Sequence, residues 1–337
     1  MTNFSLLIAD WYRQNHRSLP WRESNNAYFI WLSEIILQQT RVEQGTKYYL
    51  KFIANYPTVN DLANADEIEI LNDWQGLGYY SRARNLHFSA KYIVNELNGN
   101  FPETYSEIIK LKGVGKYTAA AIASFAYDEE TAVVDGNVYR LISRLFDVHT
   151  PMDSSKGQKE FQEIADQLIK GADPATHNQG MMEIGSTVCS PQPKCENCPL
   201  QAKCLAFDRG TIQLLPVKEK KTKVRDRYFH FFIFSNDEHT ILEKRTQKDV
   251  WQNMYQFPLV ETKKNPEEFP FDLSTEVHQS EQVKHILSHQ HIYATFHHLK
   301  GIPTDLDDGW ILVKQNEIQD YPLPRIIDRY LEETLNT

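Results

Sequence analysis

The chain has 337 residues, 41% of them hydrophobic and 24% charged, enough for two or three separately cored domains. Its net charge of −9 excludes a broad electrostatic grip on nucleic acid, so any contact with a phosphate backbone must be local. No apolar run is long enough to cross a bilayer, and the opening segment is broken by Asp10, Arg13 and Arg17, which predicts a soluble, cytoplasmic protein with no secretory leader and no membrane partner.

Apolar residues at helical spacing predict a helix over Phe29–Arg41. Within it Glu34 has Ile30, Trp31 and Leu37 at i−4, i−3 and i+3. A carboxyl on such a stripe resists ionisation and keeps its proton near neutral pH; the plainer alternative is a glutamate at the stripe's edge that reaches water. Further helices are expected over Asp66–Trp74, Lys116–Tyr127 and Asn137–Phe146, with breaks where Gly, Pro and Asn gather at 56–60, 76–78, 98–102 and 113–115.

In Leu111-Lys-Gly-Val-Gly-Lys-Tyr-Thr-Ala119, Gly113 and Gly115 flank one small apolar residue and a helix begins at once. Backbone amides of such a turn can converge on an anion, which makes a helix–hairpin–helix able to hold a DNA phosphate with little positive charge. A tight connection with no ligand has the same pattern. In Thr131-Ala-Val-Val-Asp-Gly-Asn-Val138, Asp135 ends an apolar run just before a helix. It is suited to N-capping, and the same amides favour its ionised form. Glu34 and Asp135 therefore form a pair whose surroundings push their pKa values apart, one acid and one charge stabiliser for a glycosidic bond.

All four cysteines fall within sixteen residues, Cys189, Cys195, Cys198 and Cys204, as C-x5-C-x2-C-x5-C. The spacing suits one metal centre, a [4Fe–4S] cluster or, alternatively, a zinc ion, better than two disulfides. Beyond them, Pro216–Arg225 is a basic stretch between two acidic bodies: residues 211–225 carry five basic and one acidic residue. Such a run is read first as a solvated linker. The texture then changes, with strands expected at Tyr228–Phe234, Thr240–Lys244, His291–Leu299 and Trp310–Lys314 and a closing helix at Arg325–Leu335.

Taken in order, Leu19-Pro-Trp-Arg22, Trp31-Leu-Ser-Glu-Ile-Ile-Leu-Gln-Gln-Thr40, Gly76-Leu-Gly-Tyr-Tyr-Ser-Arg-Ala-Arg-Asn-Leu86, the hairpin, Val134-Asp-Gly-Asn137 and the four cysteines resemble the adenine DNA glycosylases of the MutY type over nearly all of residues 17–204. The resemblance implies a mainly α glycosylase like endonuclease III: an iron–sulfur helical domain from residues 1–28 and 137–209, and a six-helix domain over 29–136. A basic linker (210–225) joins them to an α+β Nudix-like lesion-recognition domain (226–337). It implies removal of adenine opposite 8-oxoguanine, or guanine, from double-stranded DNA by a monomer. Glu34 and Asp135 are then catalytic, with Tyr117 and Asn137 in support. Trp21, Arg22, Gln179 and Glu183 surround the adenine, and Gln39, Thr40, Leu77 and Tyr79 wedge the duplex. Gly113, Gly115 and Lys116 meet phosphate, Ser288 and His289 read the lesion, and the four cysteines hold a [4Fe–4S] cluster.

Three positions depart from the relatives or divide them. Endonuclease III-like lyases have a nucleophilic lysine where this chain has Tyr117; Lys116 is one place early, about 100° around the helix, so hydrolysis without an efficient lyase step is expected. The family places six residues between its first two cysteines, against five here. Leu287-Ser-His289 has Leu where the family's lesion-reading turn has Phe. No R-E-x-x-E-E-x-G helix follows Trp251-Gln-Asn-Met-Tyr-Gln-Phe-Pro258, which makes pyrophosphate cleavage unexpected. The competing readings are an endonuclease III-like glycosylase for oxidised pyrimidines and a non-catalytic DNA-binding module with a zinc knot.

Overall fold

The computed structural model describes residues 2–219, 224–264, 269–271 and 275–335, so residues 220–223 of the basic stretch lie outside the described residues. Two compact units divide the chain, Met1–Asn64 with Asn85–Lys220 and Ala65–Arg84 with Lys221–Thr337. Its helices, in chain order, are α1 (Thr2–Asn15), α2 (Ala27–Leu37), α3 (Val42–Asn55), α4 (Val59–Asn64), α5 (Glu67–Asp73), α6 (Ser81–Glu96), α7 (Tyr105–Ile108), α8 (Lys116–Tyr127), α9 (Gly136–Leu145), α10 (Ser155–Leu168), α11 (Pro174–Thr187), α12 (Leu205–Arg209) and α13 (Arg325–Leu335). None among the described residues is long and apolar enough to cross a membrane.

Helix α2 is the central element of the first unit. Asn26 caps it by accepting from the Tyr28 amide at 2.9 Å, and residues from Ala27 to Ile36 are buried almost without interruption. A helix apolar on nearly all sides must be covered on all sides. The expected extension to Arg41 does not occur. The chain turns at Gln39, where φ is 57°, and Arg41 precedes α3. Neither Gln nor its neighbours advertise a left-handed turn, since that region favours Gly and Asn.

Helix α11 begins at the Asp173 cap, which accepts from the Thr176 amide at 2.7 Å, with Pro174 in the first turn where its missing N–H costs nothing. It packs closely on the start of α9: a Cβ at Gly185 would lie 2.8 Å from the Asn137 carbonyl oxygen. Around these two helices Ile8, Val138, Leu141, Ile142, Phe161, Met181 and Ile184 form one core that also takes in Cys189 and Leu200. The helix that Asp135 caps and the cysteine segment are therefore parts of one packed body.

In the second unit the strands β1 (Arg225–Ser235), β2 (His239–Lys244), β3 (Tyr255–Gln256), β4 (Leu259–Thr262), β5 (Glu276–Gln279), β6 (Val283–Ile286), β7 (Gln290–Lys300) and β8 (Trp310–Lys314) form a mixed sheet. Strands β1 and β7 run parallel in register from Arg225↔Gln290 to Ser235↔Lys300. Both lie inside the sheet, which is why Phe229-His-Phe-Phe-Ile-Phe234 reads as a nearly unbroken apolar run. Phe231 and Phe296 stack on one face, where Phe296 also stacks on Tyr330 of α13 at 3.7 Å. Phe232, Phe234 and Leu299 pack on the other with Phe269 and Phe271.

Candidate active site

Glu34 is 7% exposed and lines a hollow with Trp21, Arg22, Ser24, Ile30, Phe125, Gln179 and Met182. Burial drives its carboxyl up to about 7, with the charge of Asp135 adding to the rise, while the Tyr117 hydroxyl bond and the Arg22 charge oppose it. Helix α2 turns this carboxyl away from solvent into a hollow that is apolar at Trp21, Ile30, Phe125 and Met182 and polar at Arg22, Ser24 and Gln179. Charge is costly there unless paired.

Asp135 is held quite differently. Its Oδ1 accepts from the amides of Asn137 (2.9 Å) and Val138 (2.7 Å), and its Oδ2 from Asn137 Nδ2 at 2.7 Å. Some of its surface is open, yet protein surrounds it on most sides. Burial raises its pKa, and the donors of Val138 and Asn137 and the Arg140 charge oppose that rise without cancelling it. Both carboxyls are therefore pushed upward, and the expectation that helix-end amides would set Asp135 apart from Glu34 by favouring its charge is corrected: burial outweighs those donors. Tyr117 hydrogen-bonds Glu34 and feels the charges of both carboxyls, and with burial they hold its phenol well above its ordinary pKa, so it is a neutral donor.

The pocket residues divide into two kinds. Trp21, Arg22 and Gln179 line the hollow, whereas Glu183, 1% exposed, does not. Its carboxylate accepts from Arg17 Nε (2.6 Å), Arg17 Nη2 (3.0 Å) and Arg22 Nη2 (2.8 Å). Burial pushes Glu183 up, but the two arginines outweigh it and hold it below the usual range. Glu183 thus orients Arg22. Gln179 Oε1 accepts from the Tyr12 hydroxyl at 2.6 Å. Tyr12, Arg17, Phe125 and Met182 escaped the sequence reading; of these only Met182, one turn from Gln179 on α11, carried a usable signal.

Of the expected wedge residues, Gln39 and Thr40 belong to the first unit and Leu77 and Tyr79 to the second. Gln39 is exposed, Thr40 is half-buried and Leu77 is buried. Tyr79 is 41% exposed, and it shares with Gln39 a left-handed backbone, φ 49° against 57°. Two non-glycine residues in that region mark local strain at positions expected to enter DNA. Within the second unit the Tyr79 hydroxyl donates to Ser288 Oγ at 3.0 Å, and Ser288 Oγ lies 3.2 Å from His289 Nδ1. Ser288 and His289 form the exposed turn between β6 and β7, closed by Leu287 N–H to Gln290 O at 2.8 Å. The hairpin has Gly113 at φ 82°, both glycines are exposed, and a Cβ on Gly115 would meet nothing within 4 Å. Lys116 is exposed beside Tyr117 on a separate cleft.

All four cysteines are free thiols, and all four line one small hollow with Leu141, Arg144 and Leu200. Among the described residues no three His, Cys, Asp or Glu side chains converge to hold a single ion. Burial raises the thiols of Cys198, to about 11, and Cys204, and backbone amides of Leu200, Ala206 and Phe207 at their sulfurs oppose that rise without cancelling it. Two arginines of α9 hold this segment. Arg144, 4% exposed, donates to the carbonyls of Ser190 (2.7 Å) and Leu215 (3.3 Å) and approaches Cys189 Sγ at 3.5 Å. Arg140 Nε donates to Cys189 O at 2.7 Å and Nη2 to Asn137 Oδ1 at 2.9 Å.

Comparison with known proteins follows this geometry. Residues 32–167 match the model of the HhH-GPD superfamily base excision DNA repair proteins, and residues 230–333 match the NUDIX domain. An adenine DNA glycosylase of Buchnera aphidicola subsp. Acyrthosiphon pisum is 35% identical over 262 residues, covering 77% of this chain and 75% of that one. The adenine DNA glycosylase of Rattus norvegicus is 43% identical over 229 residues, 64% of this chain and 44% of the rat protein. Among solved structures, a thermostable thymine-DNA glycosylase aligns with a TM-score of 0.57 at 30% identity, over 62% of this chain and 96% of its own.

Proposed function

Because the chain belongs to the adenine DNA glycosylases, we propose that its substrate is adenine mispaired with 8-oxoguanine in duplex DNA. Its role is adenine excision in base excision repair, and DNA is its partner. The observation that carries the mechanism is Glu34: a carboxyl raised to about 7 in a hollow walled by Trp21, Phe125 and Met182.

An adenine in the stack cannot present its sugar bond, so the nucleotide swings out and the base enters the hollow. Glu34 gives its proton to N7 as the glycosidic bond breaks. The bonding electron pair leaves with the base, which departs neutral instead of as an anion. Positive charge then develops on the sugar, and Asp135, its oxygens fixed by Asn137 and Val138, stabilises it. Water supplies the oxygen that bonds to C1′, and its proton leaves to Asp135 or to solvent. Tyr117 donates to Glu34 and fills the place where a lyase has its lysine, so the reaction ends at hydrolysis. Trp21, Arg22 and Gln179 grip the base, with Glu183 steering Arg22.

Outside the hollow, Gln39, Thr40, Leu77 and Tyr79 keep the opened duplex apart, since stacking replaces the interactions lost with the base. Ser288 and His289 read the 8-oxoguanine edge. Gly113, Gly115 and Lys116 take the phosphate backbone. Cys189, Cys195, Cys198 and Cys204 would hold a [4Fe–4S] cluster. Held by four protein ligands, such a cluster would supply a structural crosslink for the segment that Arg140 and Arg144 anchor to α9.

Single-turnover cleavage of duplexes that differ only in the base opposite a labelled adenine tests the reading. Faster excision opposite 8-oxoguanine than opposite guanine is expected, and equal rates opposite every base would remove the lesion from the function.

A further inference from the structure

Lysines stand at both ends of the hairpin, and only Lys116 has been given work. We infer that Lys112, held on the ring of Phe88, is a second and charged contact to the DNA backbone. The inference rests on the reading that the hairpin faces DNA.

Phe88 is 53% exposed on α6, unusual for a ring with no partner. It does have one, since the Lys112 ammonium sits 4.2 Å from its ring centroid. The hairpin is pressed on α6 at this place. Ser89 Oγ donates to the Lys112 carbonyl at 3.0 Å, and a Cβ on Gly113 would lie 2.7 Å from Asn85 Cβ. Backbone and side chain of Lys112 are therefore both fixed against one helix.

A lysine stem is among the most mobile side chains, and ordering it on binding is costly. A ring under the ammonium restrains the stem beforehand but leaves the outer N–H groups in water, free for an anion. The amides of Gly113 and Gly115 hold a phosphate without net charge, so they release few counterions. Lys112 adds the charge that they lack. Because Lys116 lines the cleft beside Tyr117 while Lys112 packs against Phe88 and Ser89 of α6, the two stand on opposite flanks of the hairpin's glycines in sequence.

The test is the salt dependence of duplex binding by the full chain, read by fluorescence anisotropy. Lys112→Ala should flatten the slope of log K against log salt by about 0.9 and weaken lesion-bearing and undamaged duplexes by the same factor, because phosphate contacts carry no sequence information. Phe88→Leu keeps an apolar side chain but no ring face, and should weaken binding about two- to fivefold with the slope unchanged. In the Lys112→Ala background Phe88→Leu should have no further effect. An unchanged slope and affinity in Lys112→Ala overturns the inference, as does a Phe88→Leu effect that persists undiminished without the lysine. Adenine excision by the unaltered protein is the separate control: its absence would count against the function, whereas the slope reports on Lys112 alone.

Discussion

Replacing Glu34 by Gln should make this protein more stable and nearly inactive, and the gain should appear only above acid pH. Glu34 has a folded pKa of about 7 against an ordinary value of 4.5. Below 4.5 the carboxyl is protonated whether folded or unfolded and contributes no pH dependence. Between 4.5 and about 7 the unfolded chain releases this proton and the folded chain keeps it, so stability falls as pH rises. Above about 7 both states are ionised and the loss levels off. The difference of about 2.5 units corresponds to about 3 kcal/mol. Glutamine cannot titrate and escapes this loss. Denaturant unfolding of both proteins across pH 4 to 8, compared at each pH, cancels the groups that do not interact with residue 34, leaving Glu34 and its coupling to Asp135 and Tyr117. The stability advantage of Glu34→Gln should grow by about 3 kcal/mol over this window. A difference that stays flat with pH would refute the placing of a proton-holding carboxyl at residue 34. Activity follows the same titration: if the protonated form is the acid, excision slows by about tenfold per pH unit well above 7.

Other outcomes follow from the same geometry. Borohydride reduction during turnover should trap far less covalent DNA adduct than with a true lyase, because Tyr117 cannot form a Schiff base; lyase-like yields would contradict that role. Ser288→Ala removes the hydroxyl that Tyr79 bonds at 3.0 Å and should reduce the preference for 8-oxoguanine over guanine by about tenfold, the scale of one hydrogen bond at about 1.4 kcal/mol, while excision opposite guanine changes little. Purified protein should be brown and carry about four irons and matching sulfide per chain, and Cys198→Ser should lose both; one zinc per chain with no sulfide would contradict the cluster.

The two carboxyls proposed for catalysis stand out in the sequence because each breaks a local pattern. Glu34 is one carboxyl in an apolar helix, and Asp135 is a cap at a run's end. The hairpin was readable because only glycine tolerates φ near 82° at Gly113. The left-handed turns at Gln39 and Tyr79 had no such mark, since both residues usually sit elsewhere, and so the helix expected to Arg41 ends at Leu37. Arg140 and Arg144 look like ordinary helix-face cations in sequence; their targets are backbone carbonyls that only the folded cysteine segment brings near. The Tyr79–Ser288 bond spans 209 residues, a distance at which local patterns carry no information. Short strands such as Tyr255–Gln256 owe their pairing to β2 and were likewise silent.

Single-turnover excision of adenine opposite 8-oxoguanine by Glu34→Gln and Asp135→Asn, each first shown to bind the duplex, tests the core of the account most directly. Losses of about 10³-fold or more in each are predicted, equivalent to at least about 4 kcal/mol of transition-state stabilisation. A rate near that of the unaltered enzyme in either variant would mean that the carboxyl concerned does not act at the glycosidic bond.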